Sequence, residues 1–148
     1  MKAQVVWQEG MTFDARLEGF NFLIDADASV GGNDRGPRPK GLTLVSLAGC
    51  TAMDVISILR KMKVDVDRFE VATEAELVEE HPKKFKSITI RYILEGKNIP
   101  PEKVSKAVSL SEERYCGVSA SLRPGVEIAS EIVINGEKIQ VGQPAPAD

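Results

Sequence analysis

The sequence predicts an α+β fold in which antiparallel sheets surround one long buried helix. Segments that alternate between apolar and polar residues come in consecutive groups, not singly between helices, and that order is typical of α+β proteins. One apolar run, residues 42–62, is long enough for a helix that crosses a whole domain. A chain of 148 residues with 43% hydrophobic content suffices for a single core that buries about 70% of the unfolded surface.

The first 27 residues predict three short strands. Phe13, Ala15 and Leu17 alternate with polar residues, and Glu9-Gly10 supplies a turn before them. Period-two alternation around such a turn indicates a hairpin, which residues 20–24 extend to a third strand. Residues 28–39 are rich in glycine and proline and predict a loop.

A helix of about 23 residues is predicted from Pro39, because proline suits the first turn of a helix. Its surface is mostly apolar and therefore predicted to be buried by sheet, partner or both. The polar exceptions are spaced by three, four, four and three positions, which places them on one face of the helix. They are Thr43, Ser46, Cys50, Asp54 and Ser57.

The rest of the chain predicts a hairpin, two helices and a final hairpin. These elements are strands 69–78 and 85–94, a helix from 101 to about 115, a short helix at 116–122, and strands 126–134 and 137–141 joined at Asn135-Gly136. An Asn-Gly pair between alternating segments is a strong hairpin signal. We expect one domain over residues 1–141 and a disordered tail at 142–148.

Charge and composition narrow the function classes. A net charge of −3 with both signs mixed along the chain offers no basic stripe for a phosphate backbone, so we expect no nucleic-acid partner. The N-terminus lacks the apolar run and cleavage site of a signal peptide, which predicts a cytoplasmic protein. Polar residues interrupt the apolar run at 42–59, and we therefore expect no membrane span.

Cys50 and Cys116 are the only cysteines of the chain. In a reducing compartment two cysteines are either inert buried thiols or redox groups. A reactive thiol needs a lowered pKa, yet Asp54, one helical turn beyond Cys50, would raise it. The helix dipole gives no help eleven residues into a helix. A cation is therefore expected near Cys50 if that thiol is reactive.

Both cysteines lie in surroundings that resemble the OsmC/Ohr family, the osmotically induced and organic hydroperoxide resistance proteins. Pro39-Lys40-Gly41-Leu42 followed by Cys50 resembles the first family motif, and Cys116-Gly117-Val118-Ser119 resembles the second, Cys-Pro-Val-Ser. The resemblance covers roughly residues 3 to 140. It implies the OsmC-like fold, in which two chains intertwine around a pair of central helices, and hence a homodimer.

The resemblance also implies an activity, that of a thiol-dependent peroxidase acting on organic hydroperoxides or hydrogen peroxide. Cys50 would be the peroxidatic cysteine and Cys116 the resolving one, with a dithiol or thioredoxin-like reductant to reopen their disulfide. We expect no cofactor. We also expect no zinc site, because the possible ligands are scattered and lack the short Cys-X-X-Cys spacing of such sites; they are Cys50, Asp54, His81 and Cys116. The family's active-site arginine corresponds first to Arg35, with Arg38 and Arg16 as alternatives.

Two positions depart from the family motifs: Lys40 stands where the family has glutamate, and Gly117 where it has proline. Without that glutamate, we expect the arginine–carboxylate clamp to be absent and the loop before Lys40 to be looser. Ten residues of helix rise about 15 Å, so Lys40 cannot reach Cys50 along its own helix. These departures leave open an alternative function, a non-catalytic OsmC-like dimer that binds a small apolar ligand or senses redox state.

Overall fold

The computed structural model describes residues 1–139. The predicted disordered tail and the last residues of the predicted final strand lie outside this range. The chain divides into two compact units, unit 1 comprising Met1–Thr43 and unit 2 beginning at Leu44.

Unit 1 is built on a three-stranded antiparallel sheet in the order β1 (Ala3–Glu9), β2 (Thr12–Leu17) and β3 (Phe20–Ile24). The three strands confirm the prediction from alternation. The β2–β3 turn uses a positive φ of 89° at Gly19, a conformation that glycine adopts without steric cost.

The segment predicted as a loop after β3 contains one turn of 3₁₀-helix, Ala28–Val30. The carboxylate of Asp27 caps this turn by accepting a hydrogen bond from the backbone N–H of Ser29 at 2.9 Å. The prediction of a segment with no regular element is therefore wrong at these three residues, because a local aspartate cap stabilises a single turn.

The long helix α1 spans Pro39–Lys61, as predicted. Its buried side chains recur every four residues, at Leu47, Thr51, Val55 and Leu59. Within one chain the other side is not covered, since Val45 is 66% exposed and Met53 is 72% exposed. Within one chain the predicted burial is confirmed on one face, and burial of the rest of the helix by a partner stays a prediction.

By length and composition α1 is also the one helix within residues 1–139 that could cross a membrane. The expectation that its polar residues rule out a membrane span is therefore wrong, because the helix passes on length and composition. A core helix meets the same criteria, and Leu47, Val55 and Leu59 belong to the buried core of unit 2.

Unit 2 contains a four-stranded sheet in the order β4, β5, β6 and β7. Their bounds are Arg68–Leu77, Phe85–Glu95, Glu127–Ile134 and Glu137–Ile139. Two of the three pairings are antiparallel, as predicted, but β5 and β6 are parallel. The sheet is therefore mixed. A parallel pair requires a crossover of a dozen or more residues, and the helices between β5 and β6 supply it.

This crossover carries α2 (Pro101–Leu110), a π-helical turn (Ser111–Tyr115) and α3 (Gly117–Leu122). The helix predicted to run to about Tyr115 therefore reaches its predicted end with a wider last turn. At the end of that turn the N–H of Cys116 donates to the carbonyl of Ser111 at 2.7 Å. π-Helical turns are rare in proteins, and those that occur often lie at functional sites.

Candidate functional site

The two cysteines meet inside unit 2, although 66 positions separate them in the sequence. The sulfurs of Cys50 and Cys116 and a carboxylate oxygen of Asp54 all lie within 4.8 Å of one another. Both thiols are free, Cys50 half-buried and Cys116 buried. The helices α1 and α3 thus bring together the two residues on which the sequence analysis placed the chemistry.

Backbone amides at the start of α3 hydrogen-bond both sulfurs. Cys116 caps α3, and its sulfur accepts a bond from the N–H of Ser119 at 3.4 Å. Burial raises the pKa of the Cys50 thiol, and Cys116 and Asp54 raise it further, whereas a hydrogen bond from the Val118 amide lowers it. The balance leaves the pKa of Cys50 above its usual value. Asp54 therefore acts on this thiol as the sequence predicted.

A chain of hydroxyl groups lies behind Asp54. The hydroxyl of Ser111 donates to Asp54 at 3.0 Å and lies 2.9 Å from the hydroxyl of Thr51. Thr51 is in turn 2.7 Å from the hydroxyl of Tyr92. All three hydroxyl-bearing residues are fully buried, and burial raises the pKa of Tyr92 above its usual range.

Beyond Tyr92 the chain ends at Glu112. The Tyr92 hydroxyl lies 3.5 Å from a Glu112 carboxylate oxygen, which also accepts a bond from Ser130. The other Glu112 oxygen accepts from Arg123 at 3.0 Å, and the Arg123 side chain is 42% exposed. A continuous series of polar contacts thus links Asp54 to a partly exposed ion pair.

Sequence reasoning missed this hydroxyl chain. The available signals were a tyrosine in the apolar strand β5, whose hydroxyl must find a partner when buried, and a serine and a threonine on helices that pack into the core. These signals predict buried hydrogen bonds, but they do not predict that the three hydroxyls bond one another.

Cys50, Asp54 and Cys116 form a group that could hold a metal ion. Structural zinc sites take four protein ligands, and catalytic sites take three and leave one position open. The group offers three. The single histidine, His81, is exposed in the β4–β5 turn and does not belong to this group.

A cleft of about 350 Å³ opens beside Asp54. Its lining is mostly apolar, from Ile58, Met62, Leu110 and Tyr115, with Lys61 at the side. Ligand clefts start at about 300 Å³ and combine apolar walls with a few polar groups. A larger cleft of about 800 Å³ lies in unit 1. Neither cleft is lined by a cysteine, but the smaller one is lined by Asp54, whose carboxylate lies within 4.8 Å of both sulfurs.

The family model described as "OsmC-like protein" matches residues 31–131. The chain belongs to the OsmC-like family. Protein YhfA of Escherichia coli K12 is 37% identical over 129 residues, which are 86% of this chain and 93% of that protein.

Solved structures share the fold of this chain. A hypothetical protein from Aquifex aeolicus superposes with a TM-score of 0.77 at 27% identity, over 90% of this chain and 96% of that one. An organic hydroperoxide resistance protein OsmC from Legionella pneumophila gives a TM-score of 0.68 at 14% identity, over 89% and 95% of the two chains. The second likeness concerns the fold alone.

The three candidate arginines of this OsmC-like chain all belong to unit 1, and each pairs there with a carboxylate. Arg16 lies 2.6 Å from Asp14, and Arg38 pairs with Asp27 and Asp34. Arg35, the first candidate, donates to Glu9 at 2.6 Å. The expectation that Lys40 leaves the arginine without a carboxylate is therefore wrong for Arg35, because β1 supplies one.

The OsmC-like chain also anchors the loop that carries Arg35. The Asp25 carboxylate, 2% exposed, accepts the backbone N–H groups of Asn33 at 3.0 Å and Arg35 at 3.2 Å. Burial raises the pKa of Asp25, but these two amides, together with the Ala26 amide and the Thr12 hydroxyl, outweigh burial and hold that pKa below its usual value. A buried carboxylate at the end of β3 thus holds the loop in place. The expectation that the loop is looser because of Lys40 is therefore wrong.

Proposed function

We propose that this OsmC-like protein is a thiol-dependent peroxidase that reduces organic hydroperoxides or hydrogen peroxide. The observation that carries the proposal is the meeting of two free cysteine sulfurs within 4.8 Å, next to a carboxylate. A disulfide requires the two sulfurs to approach to about 2.05 Å, and this separation leaves only a small rearrangement of the side chains.

Cys50 is the peroxidatic residue in this mechanism. It is the more accessible of the two thiols, and the Val118 amide stabilises its thiolate. The thiolate attacks the terminal oxygen of the hydroperoxide, the O–O bond breaks, and the remaining oxygen leaves as an alcohol after taking up a proton. Cys50 is thereby oxidised to the sulfenic acid.

Cys116 is the resolving residue. Its sulfur attacks the sulfenic acid of Cys50, water leaves, and a disulfide forms. A dithiol or thioredoxin-like reductant then supplies two electrons and two protons and restores both thiols. The cleft beside Asp54, walled by Ile58, Met62 and Leu110, suits an organic hydroperoxide with an apolar group.

The cysteine variants test this function directly. Cys50→Ser should abolish peroxide consumption, whereas Cys116→Ser should permit one turnover and leave a sulfenic acid on Cys50. Mass spectrometry after one equivalent of cumene hydroperoxide measures both products. The two-cysteine mechanism is wrong if the unaltered protein then shows no disulfide between Cys50 and Cys116.

The remaining parts of the proposed function are the active-site cation, the oligomeric state and the compartment. Arg35 is the proposed active-site cation, with Arg38 and Arg16 as alternatives and Lys40 in a supporting role. We further propose a cytoplasmic homodimer with no membrane or nucleic-acid partner. A second copy would cover the α1 face that carries Val45 and Met53, both exposed in one chain.

The raised pKa of Cys50 favours a second candidate function, a non-catalytic dimer that binds a small apolar ligand or senses redox state. A thiol that stays protonated at neutral pH is a weak nucleophile. Titration of Cys50 and its rate with an alkyl hydroperoxide separate the two functions. A pKa at or above the free value of about 8.5 together with a slow reaction supports the ligand-binding function.

A further inference from the structure

The hydroxyl chain behind Asp54 has three protons for three hydrogen bonds, so the direction of each bond can be assigned. Ser111 has one hydroxyl proton and donates it to Asp54 at 3.0 Å. The 2.9 Å contact between Ser111 and Thr51 must then use the proton of Thr51. The proton of Tyr92 has two acceptors, Thr51 at 2.7 Å and Glu112 at 3.5 Å, and the shorter contact takes it because Thr51 has no second proton to give. With Asp54 ionised, every hydroxyl therefore points towards Asp54.

The same chain also fits a protonated Asp54, in two ways. With the proton on the carboxylate oxygen that does not bond Ser111, Ser111 still donates to Asp54 and the proton is free to leave towards the peroxide. With the proton on the oxygen that faces Ser111, every hydroxyl turns round, and Tyr92 donates to the Glu112 carboxylate 3.5 Å away. A buried hydroxyl without a partner is destabilising, and none of these arrangements leaves one. The site therefore accommodates both protonation states of Asp54.

We propose that Asp54 is the proton carrier of the thiol pair, taking the proton of the Cys50 thiol and delivering it to the oxygen that leaves the hydroperoxide. Ser111, Thr51 and Tyr92 are positioning residues that hold Asp54 in both states. The inference rests on the proposed peroxidase function. In this step the S–H and O–O bonds break, the S–O bond of the sulfenic acid and the O–H bond of the alcohol form, and no external proton is needed.

Charge at the site supports this role. Cys50 and Asp54 lie within 4.8 Å, which is direct or one-water reach for a proton. A thiolate beside an ionised carboxylate is disfavoured by like-charge repulsion. Moving the proton from Cys50 to Asp54 keeps the charge of the pair at −1 and creates the nucleophile together with its acid.

The leaving group of the peroxide tests the role of Asp54. An alkoxide from cumene hydroperoxide needs a proton as it departs, whereas the carboxylate from a peroxycarboxylic acid does not. Asp54→Asn keeps an oxygen for Ser111 but cannot carry a proton. We expect it to slow sulfenic acid formation from cumene hydroperoxide by at least about tenfold and to leave the rate with peracetic acid unchanged or raised.

A matched pair at Thr51 tests the positioning residues. Thr51→Ser keeps the hydroxyl and removes a methyl group, while Thr51→Val keeps the shape and removes the hydroxyl. We expect the ratio of the cumene hydroperoxide rate to the peracetic acid rate to fall in Thr51→Val and to be retained in Thr51→Ser. If Thr51 served packing alone, Ser would be the more damaging change and the ratio would move in neither variant.

Three results would overturn the inference. Asp54→Asn could slow both peroxides equally, it could slow neither, or Thr51→Val could keep the ratio. All three presuppose an unaltered protein that reacts quickly with cumene hydroperoxide. If the unaltered protein reacts only with peracetic acid, the peroxidase function fails as well as the role of Asp54. The two failures are therefore distinguishable.

Discussion

Arg35, in the loop before α1, and Glu9, at the end of β1, form an ion pair in which a guanidinium nitrogen lies 2.6 Å from a carboxylate oxygen. The two residues are 26 positions apart in the sequence. The OsmC/Ohr motif offers its arginine a glutamate at the position that Lys40 occupies here. In unit 1 the carboxylate beside Arg35 comes instead from a strand. With Arg35 as the proposed active-site arginine, this pair would take the place of the clamp that the motif lacks at Lys40.

We predict that Glu9→Gln lowers the rate with cumene hydroperoxide by about tenfold, equivalent to about 1.4 kcal/mol of transition-state stabilisation. The reason is that a carboxylate fixes the guanidinium group of Arg35 through a charge-assisted bond, which an amide makes less well. Stopped-flow rates of sulfenic acid formation measure the effect.

Lys40→Glu provides the companion variant. In the Glu9→Gln background it should restore part of the lost rate, because it puts a carboxylate back at the family position. An unchanged rate in Glu9→Gln would remove Arg35 from the proposed site. A further loss in the double variant would instead make Lys40 a stabilising cation.

Much of the fold was predictable because it depends on local pattern. Alternation located the strands to within one or two residues, and α1 begins at the predicted Pro39. The parallel pairing of β5 with β6 was not predictable in this way, because alternation defines the faces of a strand but not its neighbour. The Glu9–Arg35 pair depends on where a loop returns to the sheet, which no local pattern describes.

We predict that the Cys50 thiol titrates above the free value of about 8.5 and that Asp54→Asn lowers this pKa. Burial is the main cause of the raised pKa, but the Asp54 charge adds to it, and the amide removes that charge. Since a thiol reacts as the thiolate, the rate of alkylation by iodoacetamide should rise through this pKa as the pH increases. The pH profile of alkylation in Cys116→Ser backgrounds measures it without interference from the second thiol.

Asp54→Asn therefore separates two effects that usually change together. It should increase the thiolate fraction at neutral pH, because the thiolate loses a repelling charge beside it. It should also slow the reduction of cumene hydroperoxide, because the leaving oxygen loses its proton donor. If the alkylation rate and the cumene hydroperoxide rate both increased, the proton-carrier role would be contradicted. A pKa of Cys50 that does not move would contradict the electrostatic effect of Asp54.

The site itself was only partly predictable. Spacing on α1 placed Cys50 and Asp54 on one helical face, and the family motifs identified Cys116 as the second thiol. Tyr92 and Ser111 come from β5 and a π-helical turn, and their meeting with Thr51 depends on how α1 and the crossover pack over the sheet. Such long-range contacts follow from tertiary packing, for which a single sequence carries no periodic signal.

We predict a homodimer, with a mass twice the 16.1 kDa of one chain. The physical reason is the exposed apolar face of α1, where Met53 is 72% exposed and would gain about 1.5–3 kcal/mol on full burial. Met53→Glu should shift the mass towards the monomer and lower the free energy of unfolding, since folding and assembly are linked. Multi-angle light scattering at micromolar concentration measures the mass.

Lys106→Glu is the control for this prediction. It also changes the charge of the chain, but it lies on the exposed side of α2 and should leave the mass unchanged. A monomer mass for the unaltered protein would sink the prediction. A dimer that tolerates Met53→Glu would place the interface elsewhere.

The last prediction concerns Gly117, where the family motif has proline. Gly117 is the first residue of α3, a Cβ added there would meet nothing within 4 Å, and the preceding Cys116 is extended, with φ −72° and ψ 95°. Proline prefers the first position of a helix and requires an extended residue before it. Gly117→Pro should therefore raise the free energy of unfolding by about 0.4–1 kcal/mol, because it restricts the unfolded chain.

Urea unfolding of Gly117→Pro and Gly125→Pro provides a matched comparison. A Cβ at Gly125 would also meet nothing within 4 Å, but the N–H of Gly125 donates to Leu122 at 3.0 Å, and proline would remove that bond. Gly125→Pro should therefore lower stability, while Gly117→Pro raises it.

Because Cys116 caps α3, a more ordered helix start in Gly117→Pro should also speed disulfide formation after oxidation of Cys50. Lower stability in Gly117→Pro would mean that glycine is required for the backbone at this position and that the departure from the family motif is structural.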